Sequence, residues 1–373
     1  MKDNRRDFFK RSAALAATIP FAGISSPLIL KNNRVTHLAK DAGMEASEAY
    51  FSGMNDQKIN LLKQMDVFGA VGGINTKMVS METAQAFEEK PVKAVKEAWK
   101  KVGLNFNVVE GPPSLGEKTK LGLEGKDEEI ANFITLMKSL SKAGVHVICY
   151  NWMPVIGWYR TDKAKLGRGG ALVTAFDYDV IKDEPNTKYG IVTKDAMWKN
   201  LEYFLKAVIP EAEKIGMKLA MHPDDPQVDS IKGISRIMTS VDNFKRLVDL
   251  VPSPSNGITM CQGNFSLMGA DIPTVTKYFG KKNLIHFVHF RNVRDLSGKT
   301  PSTKFEETFH DEGQIDMYKA MEMYYNVGFK GPIRPDHVPT MAGDSNDAPG
   351  YSTIGSLFAW GYIKGLMEAV QKS

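Results

Sequence analysis

Four side chains suited to binding a transition metal follow short apolar runs in the second half of the chain. His222, Cys261, His289 and Asp336 each stand at the end of such a run. Pro223 follows His222 directly, and proline ends a strand because it fixes φ and lacks a backbone donor. Since the carboxyl ends of neighbouring parallel strands lie at one edge of a sheet, the four side chains are predicted to meet there.

Two imidazoles, one thiolate and one carboxylate form a ligand set that suits Mn²⁺, Fe²⁺, Co²⁺ or Zn²⁺. A thiolate is unusual for Mn²⁺ and favours softer ions, so the residues alone leave the metal open. Taken singly, each residue also has an ordinary role: a strand-end histidine forms hydrogen bonds, Cys261 packs as a small apolar group, and Asp336 caps a turn. The four together favour a metal site because four separate strands end alike.

Two arginines follow predicted strands and are candidates for binding an anionic substrate. Arg160 and Arg291 can each clamp a carboxylate with two hydrogen bonds. Asn292, the neighbour of Arg291, joins them as a third candidate substrate-binding residue. A salt bridge of either arginine to Asp162 or Asp295 is the competing interpretation, and the sequence does not decide between the two.

Strand candidates alternate with helix candidates from residue 48 to the C-terminus. The predicted strands span residues 48–53, 67–73, 104–110, 145–152, 217–222, 257–262, 284–291 and 331–336. The predicted helices span residues 56–65, 82–102, 127–143, 196–215, 239–250, 272–280, 314–326 and 353–370. Eight such units predict an α/β fold, a closed (β/α)₈ barrel, with functional residues at the C-terminal ends of the strands.

A doubly wound open sheet is the alternative architecture. It lacks its usual support, because no Gly-x-Gly-x-x-Gly motif follows the first strand and no phosphate-binding Gly-Lys-Ser/Thr loop occurs. Residues 160–195 are rich in Gly, Asp and Lys. They predict an insertion over one barrel mouth, with a small hairpin around residues 171–178.

The composition of the 373-residue chain excludes several classes of protein. Its formal net charge is +5, but five basic and two acidic residues lie among the first eleven, which leaves only +2 for the remainder. A nucleic-acid partner is therefore not expected. With only Cys149 and Cys261 present, a disulfide framework is excluded, and a single bridge between the two is not expected.

The N-terminus has the pattern of an export signal. Arg5 and Arg6 precede Phe8-Phe9-Lys10, and residues 12–26 carry no charge. This pattern resembles a twin-arginine signal and predicts export to the periplasm by the twin-arginine machinery. The predicted organisation is a signal peptide at 1–26, a linker at 27–46 and a barrel at 47–373. The alternative is a basic N-terminus on a cytoplasmic enzyme.

Several motifs carry a family resemblance. They are residues 149–155, 158–162, 221–226, the Cys261 loop, 286–292, 309–318, 334–337 and 349–352. In order and spacing, from about residue 50 to the C-terminus, they resemble the mannonate dehydratase family. The resemblance implies a xylose-isomerase-like TIM barrel and a hydro-lyase that converts D-mannonate to 2-keto-3-deoxy-D-gluconate.

The resemblance also implies roles for individual residues. It places the metal ligands on the four strand-end residues already named, with Mn²⁺ or Fe²⁺ as the expected ion and Co²⁺ or Zn²⁺ as further candidates. It places an acid/base pair on His337 and Tyr351, which together would remove the C2 proton and protonate the leaving C3 hydroxyl. A small sugar acid is the expected partner, and barrels of this family commonly pair as homodimers.

Two departures from the family pattern lie at the predicted barrel mouth. Val338 and Pro339 follow Asp336-His337 where the family usually has Gly-Arg or Gly-His, and Gly72-Gly73-Ile74-Asn75 replaces a motif with paired histidines. The sequence therefore leaves open dehydration of a different sugar acid. It also leaves open a sugar isomerase or epimerase on the same barrel.

Overall fold

A computed structural model describes residues 42–373, which contain a closed barrel of eight parallel strands. The strands in chain order are β1 (Glu45–Ala49), β2 (Gly69–Gly72), β3 (Asn105–Glu110), β4 (Val147–Tyr150), β5 (Asp162–Leu166), β6 (Leu172–Asp177), β7 (Lys218–Met221), β8 (Ser230–Ile231), β9 (Ile234–Ser235), β10 (Asn256–Cys261), β11 (Ile285–Phe290), β12 (Val293–Asp295), β13 (Lys304–Glu307) and β14 (Pro332–Pro335). Around the barrel the order is β1-β14-β11-β10-β7-β4-β3-β2. The predicted (β/α)₈ barrel is confirmed, and the doubly wound alternative is wrong.

Each of the eight predicted helices is present among the described residues. The helices are α1 (Asp56–Gln64), α2 (Glu89–Lys101), α3 (Glu117–Leu121), α4 (Lys126–Lys142), α5 (Lys194–Lys214), α6 (Val241–Leu250), α7 (Gln262–Leu267), α8 (Ile272–Lys281), α9 (Met317–Asn326) and α10 (Thr353–Lys372). Short α3 and α7 were not predicted. Side-chain caps fix several starts: Thr193 accepts a hydrogen bond from Ala196 N, and Ser352 accepts one from Gly355 N. Such caps satisfy backbone donors that the first turn leaves unpaired.

The start of the barrel differs slightly from the prediction. Strand β1 begins at Glu45, inside the predicted linker that ends at residue 46. Burial explains the earlier start, because Ala46 and Ser47 are already enclosed and β1 pairs with both β2 and β14. The predicted signal peptide at 1–26, and the linker up to residue 41, lie outside the described residues.

A second sheet stands apart from the barrel. Strands β5 and β6 form an antiparallel hairpin, and β13 and β12 extend it in the order β12-β13-β6-β5. The structure therefore has an insertion near residues 160–195, and its hairpin spans residues 162–177. The sheet also contains β12 and β13, which belong to the segment after β11. The prediction missed β12 and β13 because Val293–Asp295 and Lys304–Glu307 are short and mostly polar.

Inside the barrel, a buried apolar layer lies under the site described next. Val71, Val108, Cys149, Ala220 and Phe287 form this layer, and Cys149 also lines the cavity above it. The larger core lies between the strands and the surrounding helices. Among residues 42–373, no helix combines the length and the apolar character that crossing a bilayer requires.

Candidate metal centre and active site

The four predicted metal ligands converge at the C-terminal ends of four neighbouring strands, β7, β10, β11 and β14. One donor atom from each of His222, Cys261, His289 and Asp336 lies within 4.8 Å of all the others. His222 Nε2 is 3.1 Å from His289 Nδ1. Asp336 Oδ2 is 3.5 Å from His289 Nδ1 and 3.9 Å from Cys261 Sγ. Ligands at about 2.0–2.3 Å from a tetrahedral ion are roughly 3.3–3.8 Å apart, so the spacing fits one ion.

Each of the two histidines faces this cluster with one ring nitrogen and an oxygen outside it with the other. His222 Nδ1 lies 2.7 Å from the carbonyl oxygen of Pro223 and donates to it, which leaves Nε2 as the free lone pair. His289 uses Nδ1 toward the cluster, while its Nε2 lies 3.5 Å from Glu110 Oε1. A carboxylate behind a metal-binding histidine fixes the ring orientation and raises its basicity.

The charge states of the other two ligands also suit a cation. Burial alone would raise the pKa of Cys261, but the Arg291 guanidinium and hydrogen bonds from His222 and His289 outweigh it and lower that pKa to about 6. Burial opposes ionisation of Asp336 too, yet Arg334, His337 and His289 hold its pKa well below the usual range. Thiolate and carboxylate are the forms that bind metal ions.

His337 and Tyr351 lie beside this cluster and face the same cavity. The Tyr351 hydroxyl donates to Asp336 Oδ1 at 3.4 Å. His337 Nε2 is 3.7 Å from Asp336 Oδ1, and the His337 and Tyr351 rings meet edge to face with centroids 5.6 Å apart. Burial, and the Asp336 charge after it, raise the pKa of Tyr351 well above its ordinary value.

Arg160 and Arg291, predicted to bind substrate, are instead held in a buried ion cluster with Asp225 and Glu307. Arg160 donates to Asp225 Oδ1 at 2.6 Å and to Glu307 Oε1 at 2.5 Å. Arg291 donates to Asp225 Oδ2 at 3.1 Å and to Glu307 Oε1 at 3.0 Å. Both guanidinium side chains are 0% exposed and neither lines the cavity. Buried charges need such partners, and the predicted partners Asp162 and Asp295 are not the ones used.

The buried ion cluster supports His337 from behind. His337 Nδ1 contacts Glu307 Oε1 at 3.1 Å and also contacts Arg291. Glu307 belongs to β13, so the second sheet contributes a direct contact to His337. His337 itself has a φ of +47°, a left-handed conformation that is uncommon for a non-glycine residue and is frequent at functional sites.

Asn292, the third predicted substrate-binding residue, joins loops instead. Its Nδ2 donates to the carbonyl oxygens of His310 and Ile315, both at 3.1 Å. Its Oδ1 accepts from the backbone N–H groups of Val293 and Ile315, both at 3.0 Å. Because every polar atom of its amide is used internally, Asn292 has nothing left to offer a substrate.

The cavity over the cluster has a volume of about 120 Å³ and includes residues that the sequence analysis missed. Among them are Glu110, Cys149, Asn151, Trp158 and Arg334. Arg334 binds Glu110 through Nε at 3.2 Å and Nη2 at 3.0 Å, and it donates to Asp336 Oδ1 through Nη1 at 2.7 Å. Glu110 and Asn151 end or follow strands β3 and β4, so the strand-end rule that found the ligands would also have found them.

Comparisons with known proteins show which family the chain belongs to. The profile of the D-mannonate dehydratase (UxuA) family matches residues 44–188 and 185–373. The chain belongs to this family. Mannonate dehydratase from Streptococcus uberis is 36% identical over 327 residues, which cover 81% of this chain and 92% of that protein. The protein of the same name from Brachyspira hyodysenteriae is 33% identical over 345 residues, covering 83% of this chain and 95% of the relative.

Among solved structures, one similar chain is a mannonate dehydratase and others share only the barrel fold. The mannonate dehydratase from Streptococcus suis serotype 2 superposes with a TM-score of 0.78 at 29% identity, covering 88% of this chain and 94% of that one. A D-psicose 3-epimerase from Clostridium cellulolyticum H10 covers the same 88% of this chain with a TM-score of 0.51 and 12% identity. The second likeness concerns the barrel alone. The predictions of family, hydro-lyase class and xylose-isomerase-like fold are confirmed.

Two segments depart from the family pattern, Val338-Pro339 and residues 72–75. Neither of them lines the cavity that the described residues form over the cluster. Val338 N donates to the Gly350 carbonyl at 2.9 Å, and the Pro339 carbonyl accepts from Ser352 Oγ at 2.7 Å. Both contacts hold the segment that carries Tyr351. At Gly73 a Cβ atom would meet nothing within 4 Å, so the rim beyond β2 is open there.

Proposed function

We propose that this member of the mannonate dehydratase family dehydrates D-mannonate to 2-keto-3-deoxy-D-gluconate, with a divalent cation held by His222, Cys261, His289 and Asp336. One observation carries the proposal: four ligand atoms converge within 4.8 Å beside His337 and Tyr351. A cation bound there would act as a Lewis acid toward the substrate carboxylate and so make the neighbouring C2 proton easier to remove.

The residues of the chain have separate tasks in this proposal. His337 and Tyr351 share the two proton transfers, one taking the C2 proton and the other protonating the C3 hydroxyl as it leaves. Arg291 and Glu307 hold the His337 ring from behind, and Asp336 holds the Tyr351 hydroxyl. Arg334 lines the cavity but is already paired with Glu110 and Asp336, so the bound cation would supply the positive charge that an anionic substrate needs.

An assay of the purified protein tests the activity. D-mannonate, other aldonates and a panel of ketoses are offered with Mn²⁺, Fe²⁺, Co²⁺ or Zn²⁺, and products are identified as 2-keto-3-deoxy acids or as isomers. Formation of 2-keto-3-deoxy-D-gluconate from D-mannonate is expected. If another aldonate loses water and D-mannonate does not, that aldonate becomes the proposed substrate. Formation of an epimer or isomer without loss of water would overturn the dehydratase proposal.

The metal requirement has its own test. We expect Mn²⁺ or Fe²⁺ to restore the activity of chelator-treated protein most fully, with the ion bound at one per chain. Elemental analysis of the purified protein measures the content without reference to activity. Full activity after chelation, with no ion bound, would contradict the cation assignment.

We also propose that residues 1–26 direct export to the periplasm through the twin-arginine machinery. Arg5 and Arg6 precede an uncharged run, and the family match begins only at residue 44. Cell fractionation of the full chain is expected to place it in the periplasm, and the Arg5→Lys/Arg6→Lys variant in the cytoplasm. Wild-type protein in the cytoplasm would favour the alternative, a basic N-terminus on a cytoplasmic enzyme.

The family resemblance also leads us to expect a homodimer. Light scattering of the purified protein measures its oligomeric state.

A further inference from the structure

Asn151 is held in one orientation beside the cavity. It follows β4 directly and lines the cavity with His222 and His337. Its Oδ1 accepts two hydrogen bonds, from Met153 N and from Lys120 Nζ, each at 3.1 Å. Neither a backbone N–H nor an ammonium accepts a hydrogen bond, so the oxygen of the amide is fixed toward them.

The other end of the amide is left for a ligand. Within residues 42–373, Asn151 Nδ2 donates to no protein group, whereas its Oδ1 has two donors. The amide of Asn292, by contrast, uses both ends internally. The cavity wall at β4 therefore presents a neutral hydrogen-bond donor whose direction is set by Met153 N and Lys120 Nζ.

Lys120 is unusual as the residue that sets this direction. It is 8% exposed, and among the described residues Asn151 Oδ1 is the only hydrogen-bond acceptor of its ammonium. Burial and the nearby Arg236 charge lower the pKa of Lys120 to about 8. A buried ammonium needs an acceptor, so the lysine and the amide are held together.

Strand order shows which part of a substrate Asn151 can reach. Strand β4 stands four places from β14 in the eight-stranded barrel, directly across from the strand that precedes Asp336 and His337. Strand β4 also borders β7, which precedes His222, so Asn151 lies across the cavity from His337 and Tyr351 but on the side of His222. A sugar acid with its C2–C3 segment at His337 and Tyr351 can bring a hydroxyl beyond C3 to Asn151 by extending across the cavity that all three residues line. Asn151 is thus suited to the far part of the carbon chain.

We propose that Asn151 Nδ2 donates to a hydroxyl beyond C3 of the sugar acid, and that Lys120 is the positioning residue that holds the amide in this orientation. The inference rests on the proposed function, because the site of dehydration defines which hydroxyl is far. It makes Asn151 a specificity-determining residue: a substrate without that hydroxyl leaves the donor unpaired.

A double comparison of enzyme and substrate tests the proposal. Wild-type and Asn151→Ala proteins are assayed with D-mannonate and with its 4-, 5- and 6-deoxy analogues. For one analogue, wild type should lose about three- to tenfold in kcat/KM, as expected for one neutral hydrogen bond. The Asn151→Ala variant should show no loss for that analogue. Equal losses in both proteins for all three analogues would overturn the proposal.

Lys120→Met and Asn292→Ala complete the experiment. Lys120→Met should raise KM more than it lowers kcat and weaken the same discrimination, but should change nothing further in the Asn151→Ala background. If Asn151→Ala folds poorly, the discrimination measured in Lys120→Met alone, compared with that of the wild type, still tests the proposal. Asn292→Ala, the matched control, should lower the melting temperature while the analogue discrimination stays at the wild-type level. Unchanged discrimination in Lys120→Met would remove Lys120 from the proposal.

Failure of the dehydratase proposal would show separately. If wild type does not dehydrate D-mannonate, calorimetry with metal-loaded Tyr351→Phe protein measures aldonate binding without turnover. A hydroxyl-dependent loss of affinity that disappears in the Asn151→Ala/Tyr351→Phe protein would still support Asn151. Binding that is the same with and without Asn151 would reject it.

Discussion

Two histidines three residues apart on β11 have opposite environments. His289 stands at the C-terminal end, where Glu110 and Asp336 outweigh its burial and raise its pKa well above the ordinary value. His286 stands near the N-terminal end, with Nδ1 3.2 Å from the Leu219 carbonyl. Burial, with Lys218 nearby, lowers the pKa of His286 to about 4.

Position along the barrel strand, and not residue type, therefore sets the environment of each histidine. At the C-terminal end, loops bring charged side chains from several strands to one point. At the N-terminal end, the His286 ring packs over the neighbouring strand β10. A Cβ atom on Gly257 of that strand would lie 2.4 Å from His286 Cε1. A glycine is therefore needed at residue 257 to make room for a purely structural histidine.

Removing the Cys261 thiolate, beside His289, should have the largest effect on metal content and on activity. In Cys261→Ala the cluster loses its thiolate, so we expect bound metal to fall to a small fraction of one ion per chain and dehydration to fall to background. Elemental analysis and the keto-acid assay measure the two losses. His286→Asn is the matched control and should keep its metal. Full metal content in Cys261→Ala would contradict the proposed site.

Tyr351→Phe should separate the proton transfer from the metal. The phenol is lost while all four ligands remain, so kcat should fall by about 10²–10⁴-fold, the usual contribution of one acid or base. Metal content should not change. Tyr318→Phe, at a partly exposed position on α9, should behave as wild type. An unchanged kcat in Tyr351→Phe would remove that residue from the acid/base pair.

Glu110→Gln should show how far His289 depends on the carboxylate behind it. Burial opposes ionisation, but Arg334 and His289 lower the pKa of Glu110 to about 2, so it is a carboxylate at all working pH values. Its loss should weaken metal affinity about 10- to 100-fold, as for other partners of metal-binding histidines. Metal titration measures this. Glu45→Gln, at the opposite end of the barrel, should leave affinity unchanged.

His286 should affect stability alone, and only in acid. Its pKa is about 4 when folded and 6.5 when unfolded, so on acidification the unfolded chain takes up the proton first. The free energy of unfolding should therefore fall as the pH drops from 6.5 to 4, by at most about 1.4 kcal/mol for each pKa unit. Denaturant titrations of the wild type and His286→Asn across this range compare the slopes. An equal slope in both would show that His286 does not contribute.

The sequence allowed much of this to be predicted. Apolar runs that end in polar residues located the barrel strands and the four candidate metal ligands, because side chains that follow parallel strands lie at one rim. Ordered motifs added His337 and Tyr351. The insertion and a hairpin within it were predicted, whereas β12 and β13, which are short and mostly polar, were not. Substrate binding and a salt bridge were both left open for Arg160 and Arg291, and Asn292 was a third candidate for substrate binding; in the structure all three have internal partners.

Arg160, Arg291 and Asn292 show most clearly what cannot be predicted from the sequence. Residue types and their positions after apolar runs predict which side chains can bind a cation or an anion, and on which strand each stands. Which of these polar groups already have a partner depends on the fold. Asp225 and Glu307 come from distant segments to neutralise the two arginines, whereas Asn151, with its oxygen held by Lys120, keeps a donor free at the cavity. The partners that use up or release a polar group are long-range, and no local pattern records them.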